Sequence, residues 1–279
     1  MSYKIVVDSC CELPEEFRKQ VNCEIVPLEI QVDDYCICDD DTFNQKEFLK
    51  KVAQSPNCPK SSCPSPERYM KTYAGDEENI YVVTLSAELS GSYNSAELAK
   101  NLYLEENPKK NIHIFNSRSA SGGETQIAYW VREQEEQGKS FEEIVRNTEK
   151  KIDEMGTYFV LESLEALRKN GRLSNLKAFV ANTLNIKPVM GRTIQGTIIQ
   201  LGQARGINKA LSKMVDYSLG EIKDTKDRRL IITHCNCPQR AEEVKQSYLS
   251  KAEFAETVVM DTRGISSLYA NEGGIIVTF

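Results

Sequence analysis

Residues 84–99 read TLSAELSGSYNSAELA and place four serines, Ser86, Ser90, Ser92 and Ser95, around a single glycine, Gly91. Three chemistries suit such a stretch. If a strand ends near Leu85 and a helix starts near Ser92, the N–H groups of Gly91 and Ser92 lie at a helix N-terminus, where unpaired donors and the macrodipole can hold a carboxylate or phosphate. Gly91, with no Cβ, lets an anion approach the backbone closely. The same residues also suit plain capping, because a Ser90 or Ser92 hydroxyl accepts from those N–H groups. The third possibility is a nucleophilic serine, which needs a base, and the chain holds only two histidines. His113 alternates within NIHIFNS and reads as a packed or edge residue. His234 ends LIITH, at the kind of strand terminus where ligands of α/β sheets collect, and is the candidate base for Ser90. The elbow lacks the Gly-x-Ser-x-Gly nucleophile turn, which leaves a serine hydrolase as the alternative rather than the main reading.

Two further stretches add polar candidates. CPKSSCPSPERYM presents Ser61 and Ser62 between Pro59, Pro64 and Pro66, whose rings hold the segment extended and lower the entropy cost of offering hydroxyls to a ligand. In LEALRKNGRLS, residues 164–174, Gly171 reads as a helix stop with Arg172 projecting from the turn, able to meet two oxygens of an anion. No phosphate loop or dinucleotide glycine fingerprint is present. The nine cysteines include close pairs (Cys36 and Cys38, Cys58 and Cys63, Cys235 and Cys237), but none has the two-residue gap of a zinc knuckle. No metal is expected, and the thiols read as structural. Asp39 to Asp41, in VDDYCICDDDTF, lack the glycine and distal glutamate of a calcium loop and read as a solvated turn.

These candidates need a frame to position them. Short β-branched or aromatic runs at 4–7, 25–30, 80–85, 112–115, 157–161, 229–233 and 256–260 alternate with helical patterns, which predicts an α/β fold with mainly parallel strands in the first part. Residues 121–155 read as largely helical, broken near Gly138 and restarted at Ser140, whose Glu143 completes a capping box. The run 186–206 has β-branched segments separated by glycine-bearing turns and predicts antiparallel strands, followed by helices at 207–220 and 238–250. The expected division is an N-terminal Rossmann-like domain at 1–155 and a mixed α/β domain at 156–279, with a cleft between them.

At 279 residues the chain has room for two cores of ordinary size. With 40% hydrophobic and 27% charged residues it has the composition of a globular protein, and a formal charge of -6 argues against a nucleic-acid surface. MSYKIVVDSC enters a strand without a signal-peptide pattern, and no apolar run approaches the roughly 20 residues of a membrane-spanning helix, so a cytoplasmic location is expected.

In order, IVVDSCCELPEE, SSCPSPERY, TLSAELSGSYNSA, LEALRKNGRLS, LNIKPVM with the later GTI, and THCNCPQRAEE resemble the motifs of the DegV family of bacterial fatty-acid-binding proteins. The resemblance implies two α/β domains with an acyl chain buried between or beneath them. It implies a carboxylate held by Ser90 and Gly91 with Ser61 in place of a loop threonine, Ser62 and Ser92 nearby, and Arg172 near the head group. It further implies a carrier that is not itself an enzyme and needs no cofactor, and that presents its fatty acid to a separate kinase for acyl-phosphate formation in phospholipid synthesis, with transient membrane contact left open. A carrier of another anionic amphiphile is the remaining alternative. The C-terminal LYANEGGIIVTF departs from the family's His-x-Gly-Pro-Gly signature and has Tyr269 where the histidine is expected, which makes Tyr269 a candidate head-group neighbour.

Overall fold

A computed structural model of the chain describes residues 2–173 and 185–279. Ser174 of the 164–174 stretch and Leu184 of LNIKPVM lie outside the described residues. The elements run β1 (Tyr3–Asp8), α1 (Glu15–Gln20), β2 (Cys23–Val26), β3 (Glu29–Val32), β4 (Tyr35–Cys38), α2 (Gln45–Gln54), β5 (Lys60–Ser62), α3 (Pro66–Tyr73), β6 (Asn79–Thr84), α4 (Ser92–Glu106), β7 (Asn111–Asn116), α5 (Gly122–Glu136) and α6 (Phe141–Glu154). They continue β8 (Thr157–Val160), α7 (Glu165–Lys169), β9 (Ile186–Arg192), β10 (Ile198–Arg205), α8 (Ile207–Glu221), β11 (Arg229–His234), α9 (Pro238–Leu249), β12 (Glu256–Asp261), α10 (Gly264–Ala270) and β13 (Ile275–Thr278).

The first sheet has the order β2-β1-β6-β7 and is parallel throughout. Its central strands are apolar on both faces: Ile5, Val6 and Val7 of β1, and Ile80 to Val83 of β6, are all fully buried. Helices must therefore cover both sides, as parallel sheets require. The second sheet, β10-β9-β8-β13-β11-β12, is mixed, with only the β11–β12 pair parallel. The α/β class and the antiparallel pair within 186–206 are as expected from the sequence.

The run 25–30 is not one strand. Pro27 carries no N–H for a ladder, and the N–H of Leu28 goes instead to Ser9 Oγ at 3.0 Å. The chain thus leaves β2 and starts β3 in a separate antiparallel sheet of order β4-β3-β5. Asp39 is a second correction. It is fully buried rather than part of a solvated turn, while Asp41 is exposed and ion-paired with Arg18.

Helix α5 lies between the two large sheets. Ile127, Ala128 and Val131 pack with Ile5, Val7 and Tyr81 of the first sheet. On the other flank, Gln126 donates to Arg229 O at 2.6 Å and Thr278 O at 3.2 Å, strands β11 and β13 of the second. The helical stretch breaks at Gly138, which takes the left-handed φ of 68°. It restarts with both halves of the capping box at Ser140 and Glu143 in place. Ser140→Ala removes that cap and is expected to destabilise the protein by about 1 kcal/mol, read as a melting temperature lower by about 2–4 °C.

Candidate ligand-binding site

The serine elbow is fixed from behind by buried partners. Leu85 N–H donates to Asp8 Oδ2 at 3.0 Å, Ser86 N–H to Ser119 O at 2.8 Å, and Ser86 Oγ to Gly196 O at 2.9 Å. Leu89 and Ser90 turn back on Ser86 O at 2.9 and 3.1 Å, which delivers the chain into α4 with Gly91 as its N-cap. Ser90 Oγ accepts the Ser92 N–H at 3.2 Å, satisfying one of the orphan donors of the helix. Among the described residues, the Gly91 N–H donates to no protein acceptor.

In front of the elbow is a cavity of about 330 Å³ between the first sheet and one face of the second. Phe159 and Leu161 at the end of β8 and beyond, Ile198 of β10 and Ile276 of β13 form its apolar wall, with Leu28 and Leu85 opposite. Period-2 alternation puts Thr157, Phe159 and Leu161 on the same face of β8, and Ile276 pairs directly with Phe159. Ser61, Ser62, Ser90, Gly91, Arg172 and Tyr269 all line this cavity.

At that polar end Ser61 Oγ and Tyr269 OH are 2.8 Å apart. Burial raises the Tyr269 phenol above its usual range, while Arg172 and the Ser61 hydroxyl pull it back down. Arg172 is anchored by its own backbone contacts, Nε to Leu89 O at 3.1 Å and one terminal nitrogen to Asn170 O at 2.6 Å, with its guanidinium 5.6 Å from the Tyr269 ring centroid. Among the described residues its guanidinium partners are backbone carbonyls and no carboxylate, so the cavity lining carries a cation whose charge is available to an anion.

Ser92, also expected at the site, stands behind the cavity wall. It is fully buried and does not line the cavity. As the first residue of α4, its side chain leans back toward the preceding turn, and its hydroxyl lies 3.3 Å from Ser90 Oγ. Asp8, which accepts from the Leu85 and Cys10 N–H groups, and Glu124 are both wholly buried. Desolvation raises Asp8 to about 6, against the hydrogen bonds from Leu85 and Cys10 that lower it. Burial and the neighbouring Asp8 raise Glu124 well above the carboxylate range.

Two further arginines line the cavity from stretches that carry no motif. Arg118 pairs with Asp153 and Glu149, and Arg192 donates to the carbonyls of Ile152 and Met155 at the end of α6. Both guanidiniums have structural partners. His234 does not line the cavity; its Nδ1 faces Asp261 Oδ1 at 3.4 Å. His113, on edge strand β7, sits 3.2 Å from Glu149. Neither histidine is among the residues that line the cavity with Ser90. Among the described residues no group of three or more His, Cys, Asp or Glu side chains is placed to hold a metal ion, and no helix is long and apolar enough to cross a membrane.

Two sheets enclosing a mostly apolar cavity with polar groups in its lining have the architecture of a binding site for an amphiphile. Residues 2–277 match the model of the DegV family, and the chain belongs to that family. A DegV domain-containing protein of Streptococcus gordonii is 37% identical over 291 residues, covering all of this chain and 99% of the relative. A DegV family protein from Ruminococcus gnavus, whose crystal structure was refined with vaccenic acid, superimposes with a TM-score of 0.97 at 54% identity over the full length of both chains. The Streptococcus pneumoniae Fatty Acid Kinase (Fak) B3 protein, crystallised loaded with linoleic acid, has a TM-score of 0.88 at 33% identity, covering all of this chain and 99% of that one.

Proposed function

We propose that this protein binds one long-chain fatty acid in the cavity between its sheets and presents the carboxyl end to a separate fatty acid kinase. The observation that carries the reading is the cavity itself, an apolar chamber with hydroxyls, a helix N-terminus and an acid-free arginine gathered at one end. The acyl tail lies along Phe159, Leu161, Ile198 and Ile276. Its burial contributes about 0.8 kcal/mol per methylene, so the tail supplies most of the affinity.

The carboxylate sets the opposite requirement. Carried into an apolar chamber without partners it would cancel much of the gain, so it must meet donors. Ser90 Oγ, the Gly91 N–H and the Ser61 hydroxyl receive it, with Ser62 and the Tyr269 phenol beside them and Arg172 at the outer edge. The fatty acids held by the Ruminococcus gnavus and Streptococcus pneumoniae relatives support this choice of ligand, and the kinase named for the latter supports the partner. Catalysis belongs to that partner, and the chain acts as carrier with no cofactor beyond its lipid.

Native mass spectrometry of the purified protein, followed by solvent extraction, tests the reading. One long-chain fatty acid per chain is expected. Protein that carries none and takes up neither palmitate nor oleate after delipidation would overturn it.

A further inference from the structure

We infer that Asp39 is a positioning residue for the carboxylate end of the cavity, clamping the N-terminus of α10 so that Tyr269, near the other end of that helix, stands against Ser61. The inference rests on the proposed fatty-acid reading for its functional meaning and on independent geometry for its structure.

Helix α10 is only seven residues long and has no side-chain cap of its own. A single turn and a half of helix has little intrinsic stability. Its first two amides are taken by a carboxylate more than two hundred residues away in sequence: Gly264 N–H to Asp39 Oδ1 at 2.8 Å and Ile265 N–H to Asp39 Oδ2 at 2.9 Å. Both oxygens are used, Asp39 is fully buried, and negative charge at this end of a helix is favourable. Position 264 suits glycine, because a Cβ there would lie 2.5 Å from Asp39 Oδ1.

The small antiparallel sheet ties this clamp to the site. Glu29 of β3 pairs with Cys38 on one side and Ser62 on the other. Asp39 follows Cys38 and Ser61 precedes Ser62, so the same three strands hold the clamp and the hydroxyl. Ile265, Ser266, Tyr269 and Ala270 of α10 line the cavity, and Ser266 Oγ adds a contact to Cys10 O at 3.3 Å. One rigid sheet therefore fixes α10 near its start through Asp39 and near its end through the Ser61–Tyr269 contact. Without Asp39 two buried amides lose their acceptor and the helix is free to settle elsewhere, taking the phenol with it.

A double-mutant cycle separates positioning from general loosening. Asp39→Ala is expected to weaken oleate binding by delipidated protein about tenfold. On a Tyr269→Phe background, the same change is expected to cost less than about twofold, because the group it positions is gone. Equal losses on both backgrounds would overturn the proposal. Asp39→Asn keeps one carbonyl acceptor and is expected to recover part of the affinity; should Asp39→Ala not fold, it takes its place in the cycle. A second readout needs no ligand: the fluorine resonance of 3-fluorotyrosine placed at Tyr269 is expected to shift or broaden in the Asp39 variant, while a label at the remote Tyr248 stays unchanged. An unchanged resonance at Tyr269 would sink the positioning role. Failure of the wild type to bind oleate would instead count against the fatty-acid reading and leave the fluorine result to decide the clamp.

Discussion

Replacing Ser90 with alanine is expected to weaken fatty-acid binding about thirtyfold while leaving the fold intact. A hydrogen bond to a charged acceptor is worth about 1.5–3 kcal/mol, and in the proposed complex the acceptor is the fatty-acid carboxylate, drawn partly out of water. The tail contacts along Phe159, Leu161 and Ile198 are untouched, so binding should survive at reduced strength and still rise with chain length. Ser90→Thr keeps the hydroxyl and should retain most of the affinity. The substitution has a structural side as well, since Ser90 Oγ also accepts the Ser92 N–H. Loss of that hydrogen bond costs about 1 kcal/mol, which a melting curve reads separately from a titration with oleate. Equal affinities for Ser90→Ala and wild type would mean that the elbow serves α4 alone.

The second large effect is on stability against pH. Glu12 is buried beside Ser121 and beneath the Arg263 N–H, and desolvation raises its carboxyl to about 7, against the Ser121 hydrogen bond that pulls it down. A carboxyl that holds its proton more tightly when folded than when unfolded favours the native state at low pH. That contribution is complete below the ordinary carboxylate value and fades as pH rises through about 7, with a ceiling of about 3 kcal/mol. Asp8, raised to about 6 by burial, acts in the same direction. Carboxyls held low by partners act oppositely, but Asp41, lowered to about 2 chiefly by its Arg18 hydrogen bonds, loses its contribution only in stronger acid.

Melting temperature is therefore expected to fall between pH 5 and pH 8. Glu12, which accepts from the Ser121 hydroxyl and the Arg263 N–H, can be replaced by glutamine, whose carbonyl takes the Arg263 N–H and whose amide donates to Ser121 Oγ without a charge, so Glu12→Gln should reduce that slope. At pH 8 it should melt about 5 °C above wild type, with little difference at pH 5. A wild-type protein that becomes more stable from pH 5 to pH 8, or a glutamine variant without advantage at pH 8, would contradict this account.

The sequence is most legible where local and tertiary preferences agree. IVV in β1 and IYVV in β6 are β-formers that also fill a sheet covered on both sides, and Ser140 with Glu143 builds its cap from residues three apart. Pro27 was visible, but its consequence, a change of sheet between β2 and β3, depends on the distant Ser9 hydroxyl that receives the freed N–H. Asp39 looked like its neighbours Asp40 and Asp41 because nothing in the local stretch announces Gly264 and Ile265 as partners. Ser92 shares the elbow's composition with Ser90, yet the helical geometry of α4 turns one serine inward and leaves the other on the cavity wall. Arg118 and Arg192 show the converse, lining the cavity from places with no local pattern because the meeting of two sheets brings them there.

Helix α5 has a thermodynamic consequence. Ten of its residues are buried, and it presents Ile127, Ala128 and Val131 to one sheet and Gln126 to the other. Stripping either sheet away would expose part of a helix that the other still needs as its wall. The free energy of α5 is thus held in common by the two halves, so neither can melt without uncovering part of a helix that the other uses as its wall.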